Sequence, residues 1–154
     1  MTRMEIDGNP LLLERQVCFA LAVANRSVLK IHRRLLDPLG LTHPQYLVML
    51  ALWEQAPLSV KEIGGLLQLD SATLSPLLKR LEVNGLIERR RRDDDERSVD
   101  VVLTRAGVDL RDEAVNIPGQ VVDALGVGLD DLLELHEVLT RVNAAALKAE
   151  AEAN

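Results

Sequence analysis

Three groups of side chains in this 154-residue chain have types and spacing that suit chemistry: a single thiol at Cys18, a hydroxyl-rich stretch Ser71-Ala-Thr-Leu-Ser75, and the arginines Arg89 to Arg92 with Arg97 just beyond. A lone cysteine among apolar neighbours is either a small hydrophobe or a redox-active nucleophile, and without a second cysteine it forms neither an internal disulfide nor a thiolate metal cluster. Hydroxyls beside the free N–H groups of a helix start suit phosphate oxygens and base edges; they suit ordinary first-turn capping equally well. Arginines on a polar loop suit nucleic acid, or they are solvated charges offsetting Asp93 to Glu96. No phosphate-cradling glycine loop, metal-ligand spacing or nucleophile–base pair beyond Cys18 is present, so no enzyme, cofactor or metal is expected.

The hydroxyls and arginines need a frame, and the stretch from Ser59 to Thr104 supplies one. Ser59-Val-Lys-Glu62 is a capping box that opens a short helix with an apolar face of Ile63, Leu66 and Leu67. The turn Gln68-Leu69 leads to Asp70, an N-cap for a second helix whose apolar stripe is Leu74, Leu77, Leu78 and Leu81. Asn84-Gly85 closes it. Leu86 to Arg92 and Ser98 to Leu103 flank the charged run Asp93-Asp-Asp-Glu-Arg97, the pattern of a two-stranded hairpin with a polar tip. Two helices followed by such a hairpin predict a winged helix-turn-helix, a device for reading double-stranded DNA. In it Ser71, Ala72, Thr73, Ser75 and Pro76 lie at the start of the reading helix, Lys79 and Arg80 follow one or two turns later, and Asp95 and Arg97 belong to the wing.

Around this frame the period is helical. Leu11 to Leu36 repeats apolar residues at three-and-four spacing and stops at Asp37-Pro38 and Gly40. Thr42-His-Pro-Gln45 is a second capping box, opening a helix to about Gln55 with Tyr46, Met49, Leu50 and Trp53 toward the core. Thr104-Arg-Ala-Gly107 begins another helix, which Pro118-Gly119 must kink or interrupt. A last helix, from about Leu129 to Glu150, carries too wide an apolar face for a lone surface helix. With the N-terminal helix it is expected to form a two-fold dimer core, packing within one chain being the alternative. The expected class is therefore mainly α with a small β-hairpin wing. It is read as one domain over 1–154, with 11–36 and 105–152 as dimerisation helices and 43–104 as the DNA-binding lobe.

The net charge of −6 hides an asymmetry. Met1 to Arg105 holds fifteen basic and fourteen acidic residues, whereas Ala106 onward holds three and ten. An acidic average therefore does not exclude phosphate binding, which depends on local cations. No apolar run reaches the ~18 residues of a membrane span and no signal peptide is visible, so a cytoplasmic protein without membrane contact is expected.

The block Leu69-Asp-Ser-Ala-Thr-Leu-Ser-Pro-Leu-Leu-Lys-Arg-Leu-Glu82, followed by Gly85-Leu-Ile and Asp94-Asp-Glu-Arg-Ser98, resembles the MarR family of regulators across nearly the whole chain. Within it, Arg15-Gln-Val-Cys-Phe-Ala-Leu21, Thr42-His-Pro-Gln-Tyr-Leu47 and Val115-Asn-Ile-Pro-Gly119 resemble the organic hydroperoxide resistance regulators. The resemblance implies a homodimeric repressor on a pseudopalindromic operator. It also implies that Arg97 enters the minor groove with Asp95 orienting it. Cys18 falls at the peroxide-sensing cysteine, where oxidation by an organic hydroperoxide and capping by a low-molecular-weight thiol, or overoxidation, would release DNA. Where relatives place tyrosines near that sulfur, this chain has His32 and His43, which can donate hydrogen bonds to a thiolate. The plain alternatives are a solvent-facing His32 beside Arg33 and Arg34, and a helix-entry His43 before Pro44. Two other readings of the chain stand beside this one: a repressor released by a small aromatic or drug-like ligand with Cys18 structural, and an anti-repressor that keeps the shape without binding DNA.

Overall fold

Short-range capping chemistry sets the helix boundaries. In the computed structural model, which describes residues 11–13, 16–94 and 98–154, the Thr42 hydroxyl accepts from the Gln45 N–H and the Gln45 amide oxygen accepts from the Thr42 N–H, fixing the start of α2 (His43–Gln55). Ser59 and Glu62 repeat the arrangement at the start of α3 (Val60–Leu67), at 2.7 and 3.0 Å. Asp70 caps α4 (Ser71–Val83) by accepting from the Thr73 N–H at 2.7 Å, and Thr104 caps α5 (Arg105–Ala114). Each cap satisfies backbone donors that a helix start leaves orphaned.

The first helix, α1 (Val17–Leu36), begins later than the periodic pattern from Leu11 predicts. Gln16 at its N-cap makes no side-chain cap, and Leu11 and Leu13 are exposed, so neither capping nor burial draws them into the helix. A 3-10 turn (Asp37–Leu39) and Gly40, at φ 71°, lead out of it. Beyond α5, the break falls at Val115-Asn116, upstream of the prolyl pair. Pro118 sits in the first turn of α6 (Ile117–Leu125), where its missing N–H costs little. The last helix, α7 (Leu129–Ala153), runs three residues further than expected.

The sheet has three strands rather than the two of a simple hairpin. β2 (Ile87–Arg91) pairs antiparallel with β3 (Val99–Leu103), and β1 (Leu58–Ser59) lies on the other side of β3, Leu58 opposite Val101. A two-residue strand has no periodicity to announce it.

Packing divides the chain into two units, one ending at Ile117 and the other Pro118–Asn154. In the first, Leu36, Met49, Leu52, Ile63, Leu74, Leu78, Leu81 and Ile87 are fully buried, and α2, α3, α4 and the sheet close over them. Two expected core positions are not in it: Leu50 and Leu66 lie on the outer sides of α2 and α3, 39% and 53% exposed. In the second unit α7 buries no residue, although Leu129, Leu133, Leu135, Val138, Leu139, Val142 and Leu147 are apolar. No helix among the described residues is long and apolar enough to cross a membrane.

Candidate functional site

The inner stripe of α4 fixes what its outer face presents. With Leu74, Leu78 and Leu81 buried and Leu77 half-buried, the helical period turns Ser71, Ala72, Thr73, Ser75, Pro76, Lys79 and Arg80 to the exterior, and all seven are exposed. The Asp70 carboxyl, accepting from the Thr73 N–H, is held below the usual carboxylate range and stays ionised at the helix start. Pro76, inside α4, offers no N–H to the Ala72 carbonyl one turn earlier. Lys79 and Arg80 make no ion pair with a described residue, leaving their charge to an outside partner.

Of the wing arginines Arg89 to Arg92, three find partners within the fold, and strand parity does not decide which. The Arg89 guanidinium donates to Glu82 on α4, Nε to Oε2 at 3.3 Å and Nη2 to Oε1 at 3.2 Å, and its backbone N–H donates to the same carboxylate at 3.3 Å. That hydrogen bonding holds the Glu82 carboxyl below its ordinary range. Arg92 Nε donates to Asp100 Oδ1 at 2.8 Å across the hairpin, and Arg90 pairs with Glu88 at 2.9 Å. Arg91 makes no ion pair with a described residue. Asp95 and Arg97 lie outside the described residues. A groove of about 1080 Å³ separates α3 and the start of α4 from the wing, with Lys61, Gln68, Ser71, Arg89 and Arg92 among its lining. Sequence reasoning did not single out Lys61, an exposed cation on the first turn of α3, because a lone lysine carries no pattern.

The second candidate site is split. Cys18 is a free, exposed thiol on the first turn of α1. His32, near the other end of α1, meets His43 at the start of α2, with ring centroids 4.7 Å apart in an edge-on arrangement, and Tyr46 flanks both at 6.5 and 6.4 Å. His32 Nδ1 lies 3.2 Å from the Val28 carbonyl, to which it donates in the tautomer protonated there. Cys18 and His32 are fourteen residues apart on one continuous helix, about 21 Å along its axis at 1.5 Å per residue. Within one chain the thiol and the imidazoles therefore do not meet. No group of three or more metal-capable His, Cys, Asp or Glu side chains occurs among the described residues.

Burial, and then the neighbouring His32 charge, push the His43 pKa below its ordinary 6.5, and burial pushes the Tyr46 phenol up. The folded state thus binds fewer protons at His43 than the unfolded chain does. Its contribution to stability is complete above pH 6.5 and is lost as pH falls from there toward the lowered folded-state pKa. Urea midpoints measured from pH 7.5 to pH 5 should decline less steeply in His43→Gln than in the native protein. Parallel declines would locate the acid sensitivity elsewhere.

Residues 41–99 match the MarR family. The chain is 45% identical over 136 residues, 88% of its own length and 92% of the relative's, to the organic hydroperoxide resistance transcriptional regulator of Bacillus subtilis (strain 168). It is also similar to solved structures of AbfR of Staphylococcus epidermidis. Reduced AbfR bound to DNA gives a TM-score of 0.73 at 32% identity, covering 88% of this chain and 94% of that one. Overoxidised AbfR bound to DNA gives 0.71 at 31%, covering 86% and 94%.

Proposed function

Since the chain belongs to the MarR family, whose members are transcriptional regulators rather than enzymes, we propose that it is a homodimeric repressor that holds a pseudopalindromic operator and releases it when an organic hydroperoxide oxidises Cys18. The observation that carries the DNA reading is the two-sided α4: three leucines fully buried behind an exposed face of hydroxyls, Ala72, Lys79 and Arg80. Such a face suits a major groove, where small and hydroxylated side chains approach base edges and cations meet phosphates. Arg91 and Arg97 extend the positive charge along the wing, with Asp95 orienting Arg97 toward a minor groove narrowed by an A·T-rich flank. The DNA complexes of AbfR support this reading.

The dimer rests on unspent apolar surface. Leu36 is the sole fully buried residue of α1, while Val17, Phe19 and Val23 are exposed, and α7 buries none of its leucines and valines. The helices within 11–36 and 105–152 are the pairing elements, and 43–104 is the reading lobe. Two copies place two reading helices on one face of a duplex, with half-sites about 10 base pairs apart.

Pairing also resolves the split thiol site. Because a Cys18 lies about 21 Å from its own His32 along α1, the His32–His43 pair serves the Cys18 of the second copy. A thiolate there attacks a peroxide oxygen; the O–O bond breaks, the sulfur becomes a sulfenic acid, and the alkoxide leaves as alcohol after taking up a proton. A small cellular thiol then condenses with the sulfenic acid, giving a mixed disulfide and water, or further peroxide drives the sulfur to sulfinic acid. Added bulk or charge in a dimer core displaces α1 and alters the spacing of the two α4 helices. The kinship with a hydroperoxide resistance regulator supports this trigger.

The test is an operator-release titration with an organic hydroperoxide, followed by mass spectrometry of the sulfur. Native protein should leave the operator as Cys18 gains oxygen or a thiol cap, and Cys18→Ser should stay bound throughout. Release of Cys18→Ser at the native peroxide dose would transfer the trigger to something other than the thiol, a small aromatic ligand being the next to try.

A further inference from the structure

The connection between α4 and β2 is only Asn84, Gly85 and Leu86, with Gly85 in the left-handed region at φ 77°. A link this short around a glycine behaves as a pivot unless other contacts brace it. On one side Thr104 braces it, its hydroxyl donating to the Gly85 carbonyl and its N–H to the Leu86 carbonyl. On the other, Glu82 in the last turn of α4 takes three hydrogen bonds from Arg89, the third residue of β2.

We propose that Glu82 and Arg89 form a clamp that sets the angle of the wing to α4, and so the distance between the major-groove contacts of α4 and a minor-groove contact of the wing. The inference rests on the DNA reading above and deepens it. Both are positioning residues: with the Arg89 and Glu82 side chains 33% and 38% exposed, the pair adds little to global stability, but a carboxylate held through two guanidinium nitrogens and a backbone N–H fixes direction. The lever is long. From Ile87 to Arg91 the strand extends about 13 Å at about 3.3 Å per residue, and the tip lies beyond, so a swing of about 15° at the base moves the tip by about 3.4 Å, the rise of one base pair. An Arg89 whose charge is already spent on Glu82 contributes no phosphate contact of its own, which separates it from Arg91.

The experiment compares native protein with Glu82→Gln, Arg89→Gln and the exchange Glu82→Arg with Arg89→Glu, which keeps net charge constant. Residual dipolar couplings of backbone amides, measured without DNA, report the wing's orientation relative to α4. The native wing and α4 should fit one alignment tensor; Glu82→Gln should scale down the wing couplings, and the exchange should recover them. Hydroxyl-radical footprints should show minor-groove protection spread over neighbouring base pairs in Glu82→Gln, with major-groove contacts retained. Affinity should drop about tenfold, as when one base pair of a site is wrong. Unchanged wing couplings in Glu82→Gln would overturn the clamp, as would an Arg89→Gln protein whose salt dependence falls by a phosphate contact per protomer. If native protein protects no DNA at all, the DNA reading fails while the couplings still decide the clamp.

Discussion

Gly107→Ala should lose about 3 kcal/mol or more of folding stability, lowering the unfolding midpoint by about 6 to 12 °C. Within a helix the same exchange ordinarily stabilises by up to ~1 kcal/mol, because alanine surrenders less backbone freedom. Here the sign reverses for a steric reason. A methyl group at 107 would overlap the Leu86 carbonyl oxygen and lie 3.3 Å from a Leu103 methyl. The backbone has little room to retreat, since the Gly107 N–H donates to Thr104 Oγ1 at 3.1 Å and its carbonyl accepts from Trp53 Nε1 at 2.9 Å. Gly65 is the internal control: it is helical, with open space where a methyl group would stand, so Gly65→Ala should be neutral or stabilising. Thermal unfolding of both proteins measures the contrast, and a Gly107→Ala midpoint within a degree of native would mean that α5 and the base of the wing yield freely.

Operator affinity should fall about ten-thousandfold when salt rises from ~50 to ~200 mM. The size follows from counting the cations of the proposed interface: if Lys79, Arg80, Arg91 and Arg97 of each protomer all reach phosphate, a dimer makes eight such contacts, and a slope of about −0.9 per contact gives about −7 in log–log form. Arg89, Arg90 and Arg92 are left out because Glu82, Glu88 and Asp100 already neutralise them. Had all the wing arginines counted, the slope would be nearly twice as steep. Arg97→Ala should weaken binding and flatten the slope by about two, one contact from each protomer. Titrations across four salt concentrations measure both quantities; an Arg97→Ala protein with native affinity and slope would remove Arg97 from the interface.

What could be read in the sequence was chemistry that acts over three or four residues. Both capping boxes, the Asp70 and Thr104 caps, the Gly85 turn and the buried face of α4 each follow from local spacing, and all are found where that spacing puts them. What was not legible depends on which surfaces meet. Leu50 and Leu66 are as apolar as their buried neighbours, and only the placement of other elements leaves them outside. β1 exists because β3 offers it an edge. The Glu82–Arg89 contact joins residues across a turn whose geometry no periodicity encodes, and Asp100 takes Arg92 diagonally although Arg90 stands directly opposite it in register. At the thiol site, the residue types were visible, and so was the distance between Cys18 and His32 once 11–36 is read as one helix. The approach of His43 to His32 was not, because it depends on how α2 packs against α1.

The sole tryptophan of the chain is tied by its indole N–H to Gly107, where α2 and the start of α5 meet beneath the wing. Nature has thereby fitted the molecule with a built-in optical gauge. Its ultraviolet emission responds to the polarity and hydrogen bonding of that joint without any dye, so loosening there can be watched as it happens in the unmodified protein.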